Sequence, residues 1–206
     1  MLAGHKGPCF AGVDVGKVKH VVIGVRTKQE RIRIIKTAIV GTMDDVGALL
    51  KRYNVKFFMG DIRPYEEEMR RFVKSMQGWA RMGELLDNTG YETMEVPEEM
   101  KVKINRTLIN DLTHRMFSAG QVELPRRCPD LEEYCRQVCW PVKRNEVDKK
   151  TGASVFRYSK RGKDHFRYAT NFAYLAAQRC PIVVEGREWE TSRPQKVKTG
   201  SANYRG

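Results

Sequence analysis

No apolar stretch in this chain approaches the roughly 20 residues that a bilayer-spanning helix needs. The N-terminus also lacks the basic, apolar and small-residue succession of a secretory signal. Both absences point to a protein that stays in the cytoplasm where it is made. Cysteine is scarce. The five thiols, Cys9, Cys128, Cys135, Cys139 and Cys180, are odd in number and come without an export signal, which argues against a disulfide framework. Cys135 and Cys139 stand at helical spacing with Cys128 nearby, but no CxxC pair or HxxxH partner completes a zinc site. Buried structural cysteine is the favoured reading. Internal repeats, zinc-finger spacing and an aromatic-rich binding segment are all missing, so little reading of base sequence is expected.

What is present is a globular composition with a strong charge bias. At 206 residues, with 41% hydrophobic and 31% charged residues, the chain is long and apolar enough to fold around a substantial core. The formal net charge of +13 favours a polyanionic partner. The lack of a long basic amphipathic helix counts against a membrane surface, leaving nucleic acid bound with strong salt dependence.

Periodicity supplies the organisation. Residues 1–8 read as a tail or linker remnant, and 182–206 as a basic flexible tail. Between them, residues 9–181 begin with three β-like runs, to Val15, from Val18 to Val25 and from Arg31 to Val40. Gly16 fits a tight turn between the first two, which predicts consecutive antiparallel strands. Thr42 and Asp45 form a capping box ahead of Val46, Leu49, Leu50 and Tyr53, an amphipathic helix leading to a strand over Val55–Gly60. Pro64 is expected at a first helical position, followed by Glu66, Glu67 and Glu68 where acids complement the helix dipole. Trp79–Leu86 reads as a fifth strand, Asn105–Ala119 as a helix ended by Gly120, and Leu131–Val138 as a short helix. Trp140–Asp148 and Ser154–Lys160 flank a glycine-containing turn as a basic hairpin. The last helix is expected over Lys163–Gln178, with Ala169, Phe172, Ala173 and Ala176 inward. Strands first, then alternating helices and strands, describe an α/β layer with a mixed central sheet flanked by helices.

Three aspartates occupy chemically suggestive positions. Asp14 ends Phe10-Ala-Gly-Val-Asp-Val-Gly16, Asp61 ends Val55-Lys-Phe-Phe-Met-Gly-Asp61, and Asp164 opens the final helical segment. Each has an ordinary alternative: a turn-forming Asp for the first two, a dipole-stabilised acid for the third. Together, two strand ends and a helix start are able to converge if the strands are neighbours. Clustered carboxylates repel unless a cation lies between them, and hard oxygen ligands suit Mg²⁺ or Mn²⁺. Two such ions would clamp a scissile phosphate. His165 is a secondary ligand or proton-transfer candidate beside Asp164. Lys143, Arg144, Lys160, Arg161 and Lys163 are candidate DNA contacts, with Lys160-Arg-Gly-Lys163 immediately before the third acid.

These residues resemble the C-terminal nuclease domain of the large terminase subunit of tailed bacteriophages, a ribonuclease H-like fold related to RuvC resolvases. The resemblance rests on the Asp14 segment, the Met59-Gly-Asp61 strand end, Asn105-Arg-Thr with the helix running to Gln121-Val-Glu-Leu-Pro125, and Lys163-Asp-His-Phe-Arg-Tyr-Ala169. It implies that Asp14, Asp61 and Asp164 bind metal, that the hairpin approaches double-stranded DNA, and that the task is cutting concatemeric viral DNA during packaging in a host cytoplasm. It also implies an ATPase domain, a small terminase subunit and a portal as partners of a full-length protein. No phosphate-binding loop Gly-x-x-x-x-Gly-Lys-Ser/Thr occurs here, so cutting without translocation is expected. A junction resolvase or transposase core on the same fold, a non-catalytic DNA-binding module, and an actin-like ATPase sharing Gly-x-Asp-x-Gly are the rivals; 206 residues leave little room for the second lobe of the last.

Overall fold

The computed structural model describes residues 1–76, 78–87, 89–147, 152–159 and 162–180. Its centre is an eight-stranded mixed sheet in the order β6-β7-β5-β4-β1-β2-β3-β8. Three antiparallel strands come first: β1 (Cys9–Val15), β2 (Lys19–Arg26) and β3 (Ile32–Val40). The chain then crosses through α1 (Met43–Arg52) to β4 (Val55–Asp61), which lies parallel to β1. Helix α2 (Glu66–Ser75) leads to β5 (Ala80–Leu86), parallel to β4.

Two strands that no sequence pattern announced follow, β6 (Thr93–Val96) and β7 (Lys101–Asn105), with β7 parallel to β5 and β6 on the edge. Helix α3 (Arg106–Ser118), the two-residue β8 (Val122–Glu123) beside β3, and α4 (Pro129–Cys139) come next. A separate hairpin of β9 (Val142–Val147) and β10 (Ser154–Ser159) precedes α5 (His165–Arg179). Among the described residues no helix is long and apolar enough to cross a membrane.

Strand parity divides the core in two. In β1, Ala11, Val13 and Val15 face the α1 and α2 side with Val46, Leu50, Met69 and Val73. Phe10 faces the other side with Val22, Met59, Phe166 and Phe172 of the α3–α5 layer. Gly12 shares the face of Phe10, and it is a glycine because α5 lies directly on β1. A Cβ there would sit 2.1 Å from both the Ala169 carbonyl oxygen and the Ala173 amide nitrogen. This contact brings the helix backbone down onto the strand.

Local sequence fixes the helix ends. The expected capping box is formed, with the Thr42 hydroxyl accepting from Asp45 N and the Asp45 carboxylate accepting from Thr42 N. Asn105 caps α3 by accepting from the amides of Thr107 and Leu108. Pro64 does not open α2 as its position suggests. The Arg63 amide donates to Asp61 Oδ1 at 3.0 Å, tying residues 61–63 in a turn, and the helix starts only at Glu66.

Residues 1–8 form no helix or strand but are not a loose tail. Leu2 N donates to Ile35 O at 3.2 Å, the Tyr53 hydroxyl donates to Leu2 O, and Met1 and Leu2 pack against the core. All five cysteines are free thiols. Burial holds for Cys9 and Cys180 only; Cys128 and Cys135 are half-buried and Cys139 is exposed, because α4 turns that edge outward.

Candidate metal centre

Alternation along the strands decides which polar side chains meet. Asp14 shares the face of Phe10 and Gly12, and His20 that of Val22. Asp61 shares the face of Met59, so all three look toward the α5 side. In the β1–β2 hairpin Asp14 and His20 are direct cross-strand partners. In the parallel pair, Val13 is matched with Gly60, which sets Asp14 beside Asp61 at the carboxyl ends of neighbouring strands. Helix α5 runs over β1 with Asp164 as its N-cap residue and His165 as its first helical residue. The Asp164 side chain does not cap the helix's own amides. A buried network holds this helix in place: Arg167 donates to Asn110 Oδ1 (2.9 Å), Asn110 O (2.6 Å) and Val138 O (3.2 Å), and Gln137 Oε1 accepts from Phe166 N at 3.0 Å.

The ligand atoms gathered most tightly are those of Asp14, His20 and His165, all within 4.8 Å of one another. His165 Nδ1 donates to Asp14 Oδ2 at 2.8 Å. His20 and His165 stack, with centroids 4.5 Å apart and planes at 20°, while Phe166 meets the His20 ring edge-on at 4.9 Å. Asp14, His20 and Asp164 are 7%, 4% and 2% exposed, whereas His165 reaches solvent. Burial, then the charges of His165 and Lys163, bring the His20 imidazole down to about 4, so it is neutral at physiological pH.

Asp61 and Asp164, expected from sequence to share the site with Asp14, both stand outside this tightest group among the described residues, yet Asp61 belongs to the same electrostatic neighbourhood. Burial raises its carboxyl to about 7; the Arg63 amide opposes the rise, and the Asp14 charge adds to it. Asp164 and Asp14 act together on a third group, the Tyr168 hydroxyl, which burial and then the Asp164 charge push up to about 12. Arg106, at the start of α3, supplies the opposing positive charge to both Asp61 and Tyr168 and pairs with Asp87 at 3.4 Å. A buried and a half-buried carboxyl at adjacent strand ends, the second raised to about 7 chiefly by desolvation, fit a divalent cation, which would favour the ionised form of both.

Of the other residues read from sequence, Lys143 and Arg144 lie exposed on β9 and Lys163 is exposed just before Asp164. Lys143 is already engaged, 2.7 Å from Asp111 Oδ2 and over the Phe156 ring. Lys160, Arg161 and the 182–206 segment lie outside the described residues. Sequence reasoning overlooked His20, although a turn centred on Lys17 sets position 14 opposite position 20. Arg106, Tyr168 and Asp87 carried no comparable signal, since only the packing of α3 and α5 brings them near.

No family model and no curated protein matches the chain. Its backbone is similar to the crystal structure of the large terminase nuclease from thermophilic phage G20c, with a TM-score of 0.50 and 13% identity, covering 85% of this chain and 92% of that one. The fold is ribonuclease H-like. The yeast mitochondrial Holliday junction resolvase Ydc2 is similar at a TM-score of 0.42 and 8% identity, over 82% of this chain and 78% of that one. At 13% identity the likeness to the terminase nuclease shows the fold alone, and the chemistry has to be argued from the side chains themselves.

Proposed function

We propose that this chain is a metal-dependent endonuclease that cleaves double-stranded DNA with little sequence preference. Its task on this reading is cutting concatemeric viral DNA during genome packaging, alongside an ATPase, a small terminase subunit and a portal. The observation that carries the reading is the buried Asp14 carboxylate at a β1 end, with Asp61 next to it on β4 and the Asp164–His165 helix start above it. Taking carboxyls out of water costs free energy, and groups of them with perturbed protonation are found preferentially where chemistry needs them.

In this mechanism Asp14, Asp61 and Asp164 would hold Mg²⁺ or Mn²⁺. Such ions supply an activated water for in-line attack and stabilise the leaving 3′ oxygen, giving 5′-phosphate and 3′-hydroxyl ends. The chain's own groups position the strand. Arg106 brings positive charge to Asp61 and Lys163 to His20, and the β9–β10 hairpin would offer Lys143 and Arg144 to phosphates farther along the duplex. The hairpin is pinned to α3: Tyr158 donates to Asp111 Oδ1 at 2.8 Å and Thr107 donates to Phe156 O at 3.2 Å. His165, hydrogen-bonded to Asp14, is placed to carry a proton at its second ring nitrogen.

The test is nicking of supercoiled plasmid with Mg²⁺ or Mn²⁺, with and without EDTA, set beside linear duplex and a four-way junction. Cleavage of plasmid and linear DNA that EDTA stops, and that Asp14→Ala, Asp61→Ala and Asp164→Ala each abolish, is the expected result. Variants that cut like the parent would remove the site assignment. Strict preference for the junction would transfer the reading to a resolvase, and DNA binding with no cleavage under any metal would leave a binding module.

A further inference from the structure

We propose that His20 and His165 join Asp14 in a mixed nitrogen–oxygen ligand set that selects a first-row transition dication, such as Mn²⁺, over Mg²⁺ at this end of the sheet. The proposal deepens the nuclease reading and rests on it only for the use the ion is put to. Its chemistry comes from three observations. One ligand atom each from Asp14, His20 and His165 lies within 4.8 Å of the others. His165 Nδ1 and Asp14 Oδ2 are 2.8 Å apart, close to the separation that two ligands with metal bonds of about 2.0–2.2 Å adopt around one ion. His20 is 4% exposed, and its buried Nδ1 has no hydrogen-bond partner among the described residues.

That third observation, taken with the shared 4.8 Å group, favours a ligand over a core histidine. A buried imidazole that serves packing alone normally finds a hydrogen-bond partner for each ring nitrogen. Here the ring is fixed on both sides, stacked on His165 and capped by the edge of Phe166, while a nitrogen is left over. The position is also fixed by the fold: His20 is directly opposite Asp14 across a short hairpin. Imidazole nitrogen suits manganese, cobalt and zinc, whereas Mg²⁺ prefers an octahedron of oxygens and retains its waters. In the metal-free protein His165 Nδ1 is hydrogen-bonded to Asp14 Oδ2; to bind an ion through that nitrogen the neutral ring would carry its proton on Nε2 instead.

The experiment is pulsed electron paramagnetic resonance of Mn²⁺ bound to the intact chain, with calorimetric titration of Mn²⁺ and Mg²⁺. The parent is expected to show ¹⁴N coupling from imidazole and to bind Mn²⁺ at least about tenfold tighter than Mg²⁺. His165→Ala and His20→Gln should each weaken Mn²⁺ by about tenfold or more and Mg²⁺ much less, with reduced ¹⁴N coupling. Melting in EDTA checks that each variant folds; His165 lies at the surface, so its variant keeps the test decisive if the His20 change unfolds the chain. No ¹⁴N coupling in the parent, or variants binding Mn²⁺ as the parent does, overturns the proposal. Coupling without cleavage of any DNA would sink the nuclease reading alone, and Mg²⁺-supported cleavage without coupling would sink this one alone.

Discussion

Replacing Asp61 by Asn should make the metal-free protein more stable at pH 8 and nearly unchanged at pH 4. Burial, with a contribution from Asp14, lifts the native Asp61 carboxyl to about 7. In the unfolded chain it returns to about 3.9. The native state therefore holds the proton more tightly than the unfolded state, so this group's contribution falls as pH rises from about 4 to about 7 and stays low above it. Three pH units at about 1.36 kcal/mol each set a ceiling of about 4 kcal/mol, and relaxation with water entry at a partly exposed site brings the expected value nearer 2 kcal/mol. Asparagine is nearly isosteric and keeps an oxygen for the Arg63 amide, so the change removes charge while preserving the turn. Urea denaturation of parent and Asp61→Asn in EDTA at pH 4 and pH 8 gives the difference directly. Divalent metal should reverse the order, because it binds the native parent better than the variant. A variant equally or less stable than the parent at pH 8 in EDTA would refute the assignment of Asp61 as a carboxylate under electrostatic strain.

Two further outcomes test the scaffold and the DNA face. Gly12→Ala places a methyl group 2.1 Å from α5 backbone atoms, so the helix has to lift; we expect a loss of about 3 kcal/mol or more and loss of metal binding, read by urea melts and calorimetry, and a parent-like melt would show that α5 does not rest on β1 as described. Arg144→Ala should weaken DNA binding evenly across sequences and lower the slope of log K against log salt by about one, while Lys143→Ala changes it less because Asp111 already matches that charge; equal slopes for Arg144→Ala and the parent would remove the hairpin from the interface.

Much of the fold was legible because its central elements are long and strongly periodic. The β1–β2 pair, the capping box of α1, the parallel return of β4 and the inner stripe Ala169, Phe172, Ala173 and Ala176 of α5 all follow from residue spacing. The edge of the sheet was not legible. Strand β6 has four residues, and β7 alternates Lys101, Lys103 with Val102, Ile104 over only five, too short for period two to stand out from a charged loop. Strand β8 has two residues and exists because β3 offers it a partner. The acids were visible as strand ends and a helix start. The histidine pair was not, because His20 looks like one more residue of a strand until the hairpin register is known.

The distribution of burial around Asp14 is hard to explain as an optimum for stability. A fold seeking only stability would satisfy the His20 nitrogen and would not set a carboxyl raised to about 7 next to another acid. These departures all fall on one face, at one end of parallel strands, under the start of one helix. Elsewhere the same face is well resolved: Arg167 makes three hydrogen bonds to α3 and α4, and Thr113 donates to Asn171 Oδ1 at 2.7 Å. The polar network therefore fixes α5 behind the site so that His165 is held against Asp14, while the His20 nitrogen and the raised Asp61 carboxyl lie at the end of the sheet where a cation would bind. A divalent ion at Asp14 would lower the carboxyl repulsion and give the His20 nitrogen a partner at the same time, and both defects having a common remedy is the strongest physical argument for metal at this end of the sheet.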